Sequence, residues 1–220
     1  SRKRAPSDHA AALTGWVHFM CNLYRMNASA GEVAKLFGVE APDGLNAGSE
    51  IYPGYPGLVL AGGAVRQMVW GFPLVLKGKQ GQPLKPKPVN NTRTDKLSSP
   101  FWKSSFVSRR CLIPISTFAE AEGPKGSKTR TWFSRPDADI FCAAGIWRDS
   151  AEWGASYSMI MTDANETVSA LHDRMPVILE KGGYEDWLNG DPETAFSMCR
   201  PYDGNLLVER TDEPWVRRRS

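Results

Sequence analysis

The sequence has few cysteines, and their spacing fits neither a metal site nor a disulfide framework. The four residues are far apart, with no C-x-x-C pair and no histidine at ligand spacing: Cys21, Cys111, Cys142 and Cys199. This spacing argues against a zinc site and a disulfide-stapled scaffold, and it favours a reducing, cytoplasmic setting. We therefore expect no metal and no cofactor.

Long hydrophobic runs and a strong excess of one charge are also absent. No apolar segment approaches the roughly 20 residues that cross a bilayer, and no signal-peptide pattern stands near the start. The 27 Lys and Arg against 24 Asp and Glu leave a formal net charge of +3 over 220 residues. This balance permits nucleic-acid binding but does not argue for it, because clustering of the charge decides. We expect a soluble monomer without a membrane partner.

The amino-acid composition of the chain changes at about residue 20. The first eight residues are polar and basic, which predicts an N-terminal extension over residues 1–20, as a tag, upstream translation or a pro-segment. Residues 21–220 are predicted to form one domain. It begins with a helix over residues 29–37, which Ser29, Glu32 and Gly38 cap.

Short strands and Gly/Pro turns dominate the rest of the chain. Strands are predicted over residues 58–60, 64–70, 112–115, 129–133, 140–147 and 157–162, and helices over 165–171, 184–188 and 192–198. This order predicts an α+β fold, a single domain with a curved, mostly antiparallel, barrel-like β core flanked by short helices.

Positive charge is clustered in one stretch, residues 77–93, which contains no acidic residue. Its cations are Lys77, Lys79, Lys85, Lys87 and Arg93. Such a run is often just a solvated loop. Trp70 and Phe72 precede it, however, in a Gly/Pro-rich context that suggests exposure. Cations interleaved with aromatic faces are what single-stranded nucleic acid requires.

Three further residues stand in patterns that suggest chemistry. Cys21 follows Met20, and removal of that Met would give one residue both an amine and a thiol, which together close an aldehyde into a thiazolidine. Glu120 would share a strand face with Phe118, and an apolar neighbour could raise the pKa of this carboxyl group. The alternative is that Glu120 is simply exposed. His172 precedes Arg-Met-Pro and an apolar strand, which predicts that it lies on a loop at the end of a strand, where functional groups often collect. A lone histidine is, however, more often structural than catalytic.

Six ordered motifs resemble the SOS response-associated peptidase (SRAP) family, which includes sensors of abasic sites in single-stranded DNA. The likeness runs from about residue 20 to residue 190. The motifs are Met20-Cys21-Asn22-Leu23-Tyr24, Asn91-Thr92-Arg93, the segment 110–120 that ends in Phe118-Ala119-Glu120, Ala144-Gly145-Ile146-Trp147, Thr162-Asp163-Ala164-Asn165, and the segment 172–179 that begins His172-Asp173-Arg174. Each motif is weak alone, but the ordered set is specific.

The resemblance implies a role for each candidate residue. Cys21 would be the nucleophile and covalent anchor for the sugar aldehyde of an abasic site. Asn91 would orient the cysteine amine or the sugar, and Glu120 would be the general acid/base for Met removal and imine chemistry. His172 would move protons at the opened sugar hydroxyl.

The same resemblance implies a surface for single-stranded DNA. Arg93 and Arg174 would clamp phosphates, assisted by Lys85 and Lys87 of the basic stretch. Trp70 with Pro53 would form a base-stacking wedge. Two departures weaken the match: Asn22-Leu23 replaces the Gly-Arg common after the cysteine, and alanines replace the aromatic residues that often flank the glutamate.

Two other functions stay open from the sequence. Cys21 and His172 supply the residue types of a cysteine peptidase that acts on other proteins, although no local cysteine-protease signature surrounds Cys21. A non-catalytic module that binds single-stranded nucleic acid through the basic stretch is the other alternative.

Overall fold

The computed structural model describes residues 21–216. The prediction of an N-terminal extension over residues 1–20 falls outside the described residues and stays a prediction. The elements run in chain order as β1 Tyr24–Arg25, α1 Ala30–Phe37, β2 Glu50–Ile51, β3 Pro56–Ala61, β4 Ala64–Trp70, β5 Phe72–Leu74, β6 Lys87–Val89, β7 Asn91–Arg93, α2 Pro100–Ser108, β8 Arg110–Ile115, β9 Thr117–Glu122, β10 Thr129–Ser134, β11 Phe141–Ser150, β12 Gly154–Asp163, α3 Glu166–Ser169, β13 Arg174–Pro176, β14 Ile178–Leu179, α4 Tyr184–Asn189, α5 Pro192–Ser197 and β15 Leu207–Pro214. One-turn 3-10 helices precede α2 and α4.

Five strands close into a barrel. Their order is β12-β4-β3-β8-β11, and a further pairing of β11 with β12 completes the ring. Only β4 and β12 run parallel within this ring, and the other neighbours are antiparallel. The prediction of an α+β fold with a curved, mostly antiparallel, barrel-like core is therefore confirmed.

A second sheet of five strands, in the order β15-β10-β9-β1-β2, carries the chemistry-bearing segments. Side chains alternate across it, so Tyr24 and Phe118 face the main core. Leu23, Ala119 and Trp132 form a small apolar cluster on the other face. We call these the inner and the outer face of the second sheet.

The short helices flank the two sheets. Helix α1 begins at the predicted cap, where the Ser29 side chain and Glu32 form a capping box, and it ends at Gly38, whose φ of 62° lies in the left-handed region. The predicted helices α3, α4 and α5 are also present, α3 being shorter than expected. Sequence analysis missed helix α2 and strand β15. No helix among the described residues is long and apolar enough to span a membrane.

Candidate active site

Cys21 lies at the start of the described chain, beside strand β9. The backbone N–H of Ala119 donates to the Leu23 carbonyl, and this pairing draws the extended segment before β1 alongside β9. The Cys21 side chain is fully buried in the main core. Its thiol faces the carbonyl oxygen of Leu23, with 3.6 Å between Sγ and that oxygen. Burial raises the pKa of this thiol well above its usual range, and the nearby Glu120 raises it further.

Glu120 is the buried carboxyl group of the site. It shares the inner face of β9 with Phe118, and its side chain is only 2% exposed. Burial raises its pKa well above the ordinary value, and the negative charge of Asp173 raises it further. The backbone N–H of Cys21 donates a hydrogen bond to this carboxyl group, which partly offsets the increase. The expectation that Glu120 lies on an apolar face with a raised pKa is confirmed.

One oxygen of Glu120 has no protein partner. Within the described part of the chain, Oε1 is buried and accepts no hydrogen bond. An unpaired buried polar atom costs about 1–3 kcal/mol, so proteins seldom keep one without a use for it. A carboxyl group that is protonated and has one oxygen available can exchange a proton with a reacting group beside Cys21.

Asn91 fixes the backbone of Cys21 from a different strand. It opens β7, which runs parallel to β12 with Asn91 opposite Met159. The Asn91 Nδ2 group donates to the Cys21 carbonyl at 2.7 Å, and Asn90 donates to the same oxygen at 3.4 Å. The Asn91 Oδ1 atom is buried and accepts no hydrogen bond from the described residues. Asn91 and Glu120 thus each hydrogen-bond to the backbone of Cys21.

His172 lies on the loop between α3 and β13, where the sequence placed it. The backbone N–H of Arg174 donates to His172 Nδ1 at 3.0 Å. Because Nδ1 accepts this bond, the neutral ring carries its proton on Nε2. The side chain is 13% exposed, and Nδ1 lies 3.3 Å from Oδ1 of Asp173. Among the described residues His172 forms no hydrogen bond with Glu120, and its neighbour Asp173 acts on Glu120 through its negative charge.

Sequence analysis missed two charged residues that act on Glu120. Asp173 raises the pKa of the Glu120 carboxyl group, whereas the positive charge of Lys128 lowers it. Asp173 could have been found, because it stands inside the motif His172-Asp173-Arg174. Lys128 lies in the exposed turn before β10 and carries no such signal.

The expectation that Trp70 is an exposed stacking residue is wrong. Trp70 ends β4 inside the barrel and is fully buried, and Phe72 is buried too. Its ring stacks on Tyr157 at a centroid distance of 6.5 Å, and its Nε1–H donates to the Asn90 carbonyl at 2.9 Å. The turn residues around Trp70 suggested exposure, but the strand alternation of β4 directs this ring into the core. Trp70 therefore supports Asn90 and cannot form a base-stacking wedge with Pro53.

The other predicted DNA-contacting residues lie at the surface. Lys85 and Lys87 are exposed, and Pro53 is half-buried in the turn before β3. Arg93 forms an exposed ion pair with Asp95 at 2.8 Å. Arg174 pairs with Asp163 next to the His172 loop. Among the residues the model describes, no group of three or more His, Cys, Asp or Glu side chains could hold a metal ion.

Comparison with known proteins identifies one family. The sequence pattern of the family described as SOS response associated peptidase (SRAP) matches residues 20–213. Abasic site processing protein YoqW of Bacillus subtilis is 34% identical over 125 residues, which is 52% of this chain and 55% of that protein. A Saccharomyces cerevisiae protein with the same description is 27% identical over 136 residues, 60% of this chain and 36% of its own length. The match thus spans about half the length of the Bacillus relative.

Solved structures share the fold. A Bacteroides thetaiotaomicron protein superimposes with a TM-score of 0.72 at 22% identity, over 87% of this chain and 93% of its own. A Bordetella bronchiseptica protein gives the same TM-score at 21% identity, covering 87% and 99%. At these identities the likeness concerns the fold alone.

Proposed function

The chain belongs to the SOS response associated peptidase family, and we propose that it processes abasic sites in single-stranded DNA by covalent attachment at Cys21. The names of the curated relatives support the substrate class. The arrangement around Cys21 supports the covalent route, which the names do not specify.

The observation that carries the proposal is a buried carboxyl group beside Cys21, with one oxygen that has no partner among the described residues. The backbone nitrogen of Cys21 hydrogen-bonds to Glu120, and the same carboxyl group raises the pKa of the Cys21 thiol. Asn91 holds the Cys21 carbonyl at 2.7 Å, so the residue cannot turn away. One acid/base therefore serves the amine and the thiol from a fixed position.

Exposure of the amine requires hydrolysis of the peptide bond between Met20 and Cys21. One water is consumed, its hydroxyl going to the Met20 carbonyl carbon and a proton to the departing Cys21 nitrogen. A neutral Glu120 beside that nitrogen is suited to supply the proton. The raised pKa of Glu120 keeps the carboxyl group protonated at a higher pH than usual.

The second step joins the amine to the ring-opened sugar of the abasic site. The amine adds to the aldehyde carbon and water leaves, giving an imine. The thiol then adds across the C=N bond, its proton passing to nitrogen, and a thiazolidine results with the loss of one water in total. Glu120 would shuttle these protons, and His172 would serve the sugar hydroxyl and ring oxygen through Nε2.

The DNA strand would be held by cations around this site. Lys85 and Lys87 are exposed, and Arg93 and Arg174 each pair with an exposed aspartate. Exposed ion pairs contribute at most about 1 kcal/mol, so a phosphate can replace the aspartate at small cost. Pro53 remains a candidate contact for a base, without Trp70.

A cysteine peptidase acting on other proteins fits the geometry less well. Such enzymes activate the thiol with an imidazole, which lowers the pKa of the thiol. Here the pKa of the Cys21 thiol is raised, and within residues 21–216 no histidine hydrogen-bonds to it. A non-catalytic binding module would not need an unpaired Glu120 oxygen beside the Cys21 amine.

Incubation of a protein that begins at Cys21 with an abasic single-stranded oligonucleotide tests the proposal. We expect a band that resists denaturation on a gel, with a mass equal to protein plus DNA minus one water. Cys21→Ala and an intact oligonucleotide are the controls and should give no band. Failure to form the adduct at any pH from mildly acidic to neutral would exclude covalent attachment.

A further inference from the structure

The basic stretch is part of an ordered two-stranded arm. Strands β5 and β6 pair antiparallel, with Leu74 opposite Lys87. Pairing continues outward, since Lys77 bridges Pro83 and the Leu84 N–H donates to the Leu76 carbonyl at 2.8 Å. The turn at the tip closes with a hydrogen bond from Gly78 to Gln82 at 2.8 Å. We call residues 72–89 the ribbon.

In the outer part of the ribbon, a leucine pair lies on one side and two lysines, which we call the lysine face, lie on the other. Because Leu76 and Leu84 are opposite each other, their side chains point to the same side, and each is 43% exposed. Lys77 and Lys85 fall on the other side by the same alternation. No acidic residue stands between residues 71 and 94. Within the described part of the chain, no ribbon lysine forms an ion pair.

The root of the ribbon is fixed to the active site. The Gly71 N–H donates to the Tyr157 carbonyl at 2.7 Å. A Cβ at Gly71 would lie 2.5 Å from Pro88, and its φ of +124° also favours glycine. Directly after β6, Asn90 donates to the Cys21 carbonyl and to the Asn22 side chain. The arm therefore projects from the same residues that hold Cys21.

We infer that the ribbon is a second DNA-binding element, which holds the single strand beyond the reaction site. This inference rests on the proposed function. The lysine face would contact phosphates, and the Leu76–Leu84 pair would pack on unpaired bases, whose flat faces are apolar. From Phe72 to Gly78 the arm is about 20 Å long at 3.3 Å per residue, which equals about six stacked nucleotides.

Charge and position favour DNA over other partners for this surface. Four exposed leucine and valine side chains alone would suit a protein or a second copy of this chain: Leu74, Val75, Leu76 and Leu84. A run of lysines without any carboxylate instead matches a polyanion. Single-stranded DNA is a polyanion, and a DNA strand bound at Cys21 would also pass the root of the ribbon.

Binding of undamaged oligonucleotides of six and twenty nucleotides to the full chain, followed by fluorescence anisotropy, tests the inference. Lys77→Gln/Lys85→Gln should flatten the salt dependence for the long strand by about 1.4, or 0.7 per phosphate contact. Leu76→Ser/Leu84→Ser should weaken long-strand binding about tenfold with the salt slope unchanged. For the six-nucleotide strand, both double variants should differ from the wild type in affinity far less than they do for the twenty-nucleotide strand.

Matched changes elsewhere provide the controls. Lys35→Gln/Lys103→Gln removes two exposed lysines, and Leu36→Ser removes a leucine that is 50% exposed. Ribbon variants that behave like these controls would overturn the inference. A leucine variant that instead abolishes self-association in size-exclusion chromatography would also overturn it, because the leucine pair would then contact a second copy. A wild-type chain that prefers long strands but forms no adduct would contradict the proposed function and leave this inference standing.

Discussion

The two faces of the second sheet carry one glutamate each, Glu50 half-buried and Glu120 buried, and the surroundings of the two differ in kind. On the outer face, Glu50 lies 2.9 Å from Arg25 and 3.2 Å from Arg130. Partial burial alone would raise its pKa, but the hydrogen bonds from Arg25 and Tyr52 and the two positive charges lower it. On the inner face, no arginine of residues 21–216 pairs with Glu120, and its pKa is raised.

The comparison shows that burial and contacting cations together decide what a carboxyl group in this sheet can do. Glu50 stays charged and joins β1, β2 and β10 through its arginines, which is a structural role. Because its pKa is raised, Glu120 keeps its proton to a higher pH than an ordinary glutamate and can release it to a group beside it. The pair thus separates a residue that stabilises the sheet from one placed for chemistry.

The largest effect is expected from breaking the outer-face network. Arg130 is 2% exposed and pairs with both Glu50 and Glu213. Arg130→Met removes the hydrogen bonds that this buried guanidinium donates to Glu50, Glu213 and the Pro214 carbonyl, and we expect the free energy of unfolding to fall by about 2–3 kcal/mol. Urea denaturation measures this. Arg200→Met is the control, because its pair with Asp203 is exposed and should contribute at most about 1 kcal/mol. If the two substitutions lowered the free energy of unfolding equally, the outer-face network would be no more stabilising than an exposed ion pair.

A smaller effect, with a distinct pH dependence, is expected on the inner face. Since the pKa of Glu120 is raised in the folded state, the folded protein keeps a proton that the unfolded chain has already lost. Its contribution to stability is complete below the ordinary Glu pKa of about 4.3 and is lost as the pH rises toward the folded value. The free energy of unfolding of Glu120→Gln should therefore exceed that of the wild type by an amount that grows from pH 4 upward.

Urea denaturation at a series of pH values checks this dependence. Glu122→Gln serves as the matched control, because Glu122 lies two residues along the same strand and its pKa is lowered by Thr131 and Arg210. The control should show the opposite trend. A difference between Glu120→Gln and the wild type that does not change with pH would mean that Glu120 is ionised like an ordinary glutamate.

The smallest effects on stability are expected for Arg93 and Arg174, whose aspartate partners are exposed. Arg93→Ala and Arg174→Ala should each change the free energy of unfolding by less than about 1 kcal/mol. Each should also reduce the salt slope of single-strand binding by roughly 0.7 to 1, because one phosphate contact is lost. Anisotropy titrations at several salt concentrations measure this. Unchanged salt slopes in both variants would mean that these arginines have a structural role, as Arg130 does, and do not contact phosphates.

Local sequence signals predicted much of the fold and the position of Glu120 in the core. The capping box at Ser29 and Glu32 requires only neighbouring residues, so helix α1 was predictable. Alternation along β9 placed Glu120 beside Phe118 in the core. Strand β15 gave no such signal, because its residues are almost all exposed and lack an apolar face.

Long-range pairings account for what the sequence could not predict. The outer-face network joins Arg25, Glu50, Arg130 and Glu213, which are up to 188 residues apart. Trp70 was assigned to the surface from its Gly/Pro context, although closure of the barrel buries it against Tyr157. The action of Asp173 on Glu120 likewise depends on the approach of the His172 loop to β9.

Intact-mass measurement of proteins whose chain begins at Met20 tests the central claim that Glu120 activates Cys21. The wild type should lose Met20, whereas Glu120→Ala should retain it because no acid protonates the departing amine. His172→Ala and Glu122→Ala should both lose Met20 normally, and His172→Ala should then crosslink abasic DNA more slowly. A Glu120→Ala protein that is fully processed to Cys21 would contradict the claim. His172 would then be the better candidate for the acid/base that removes Met20.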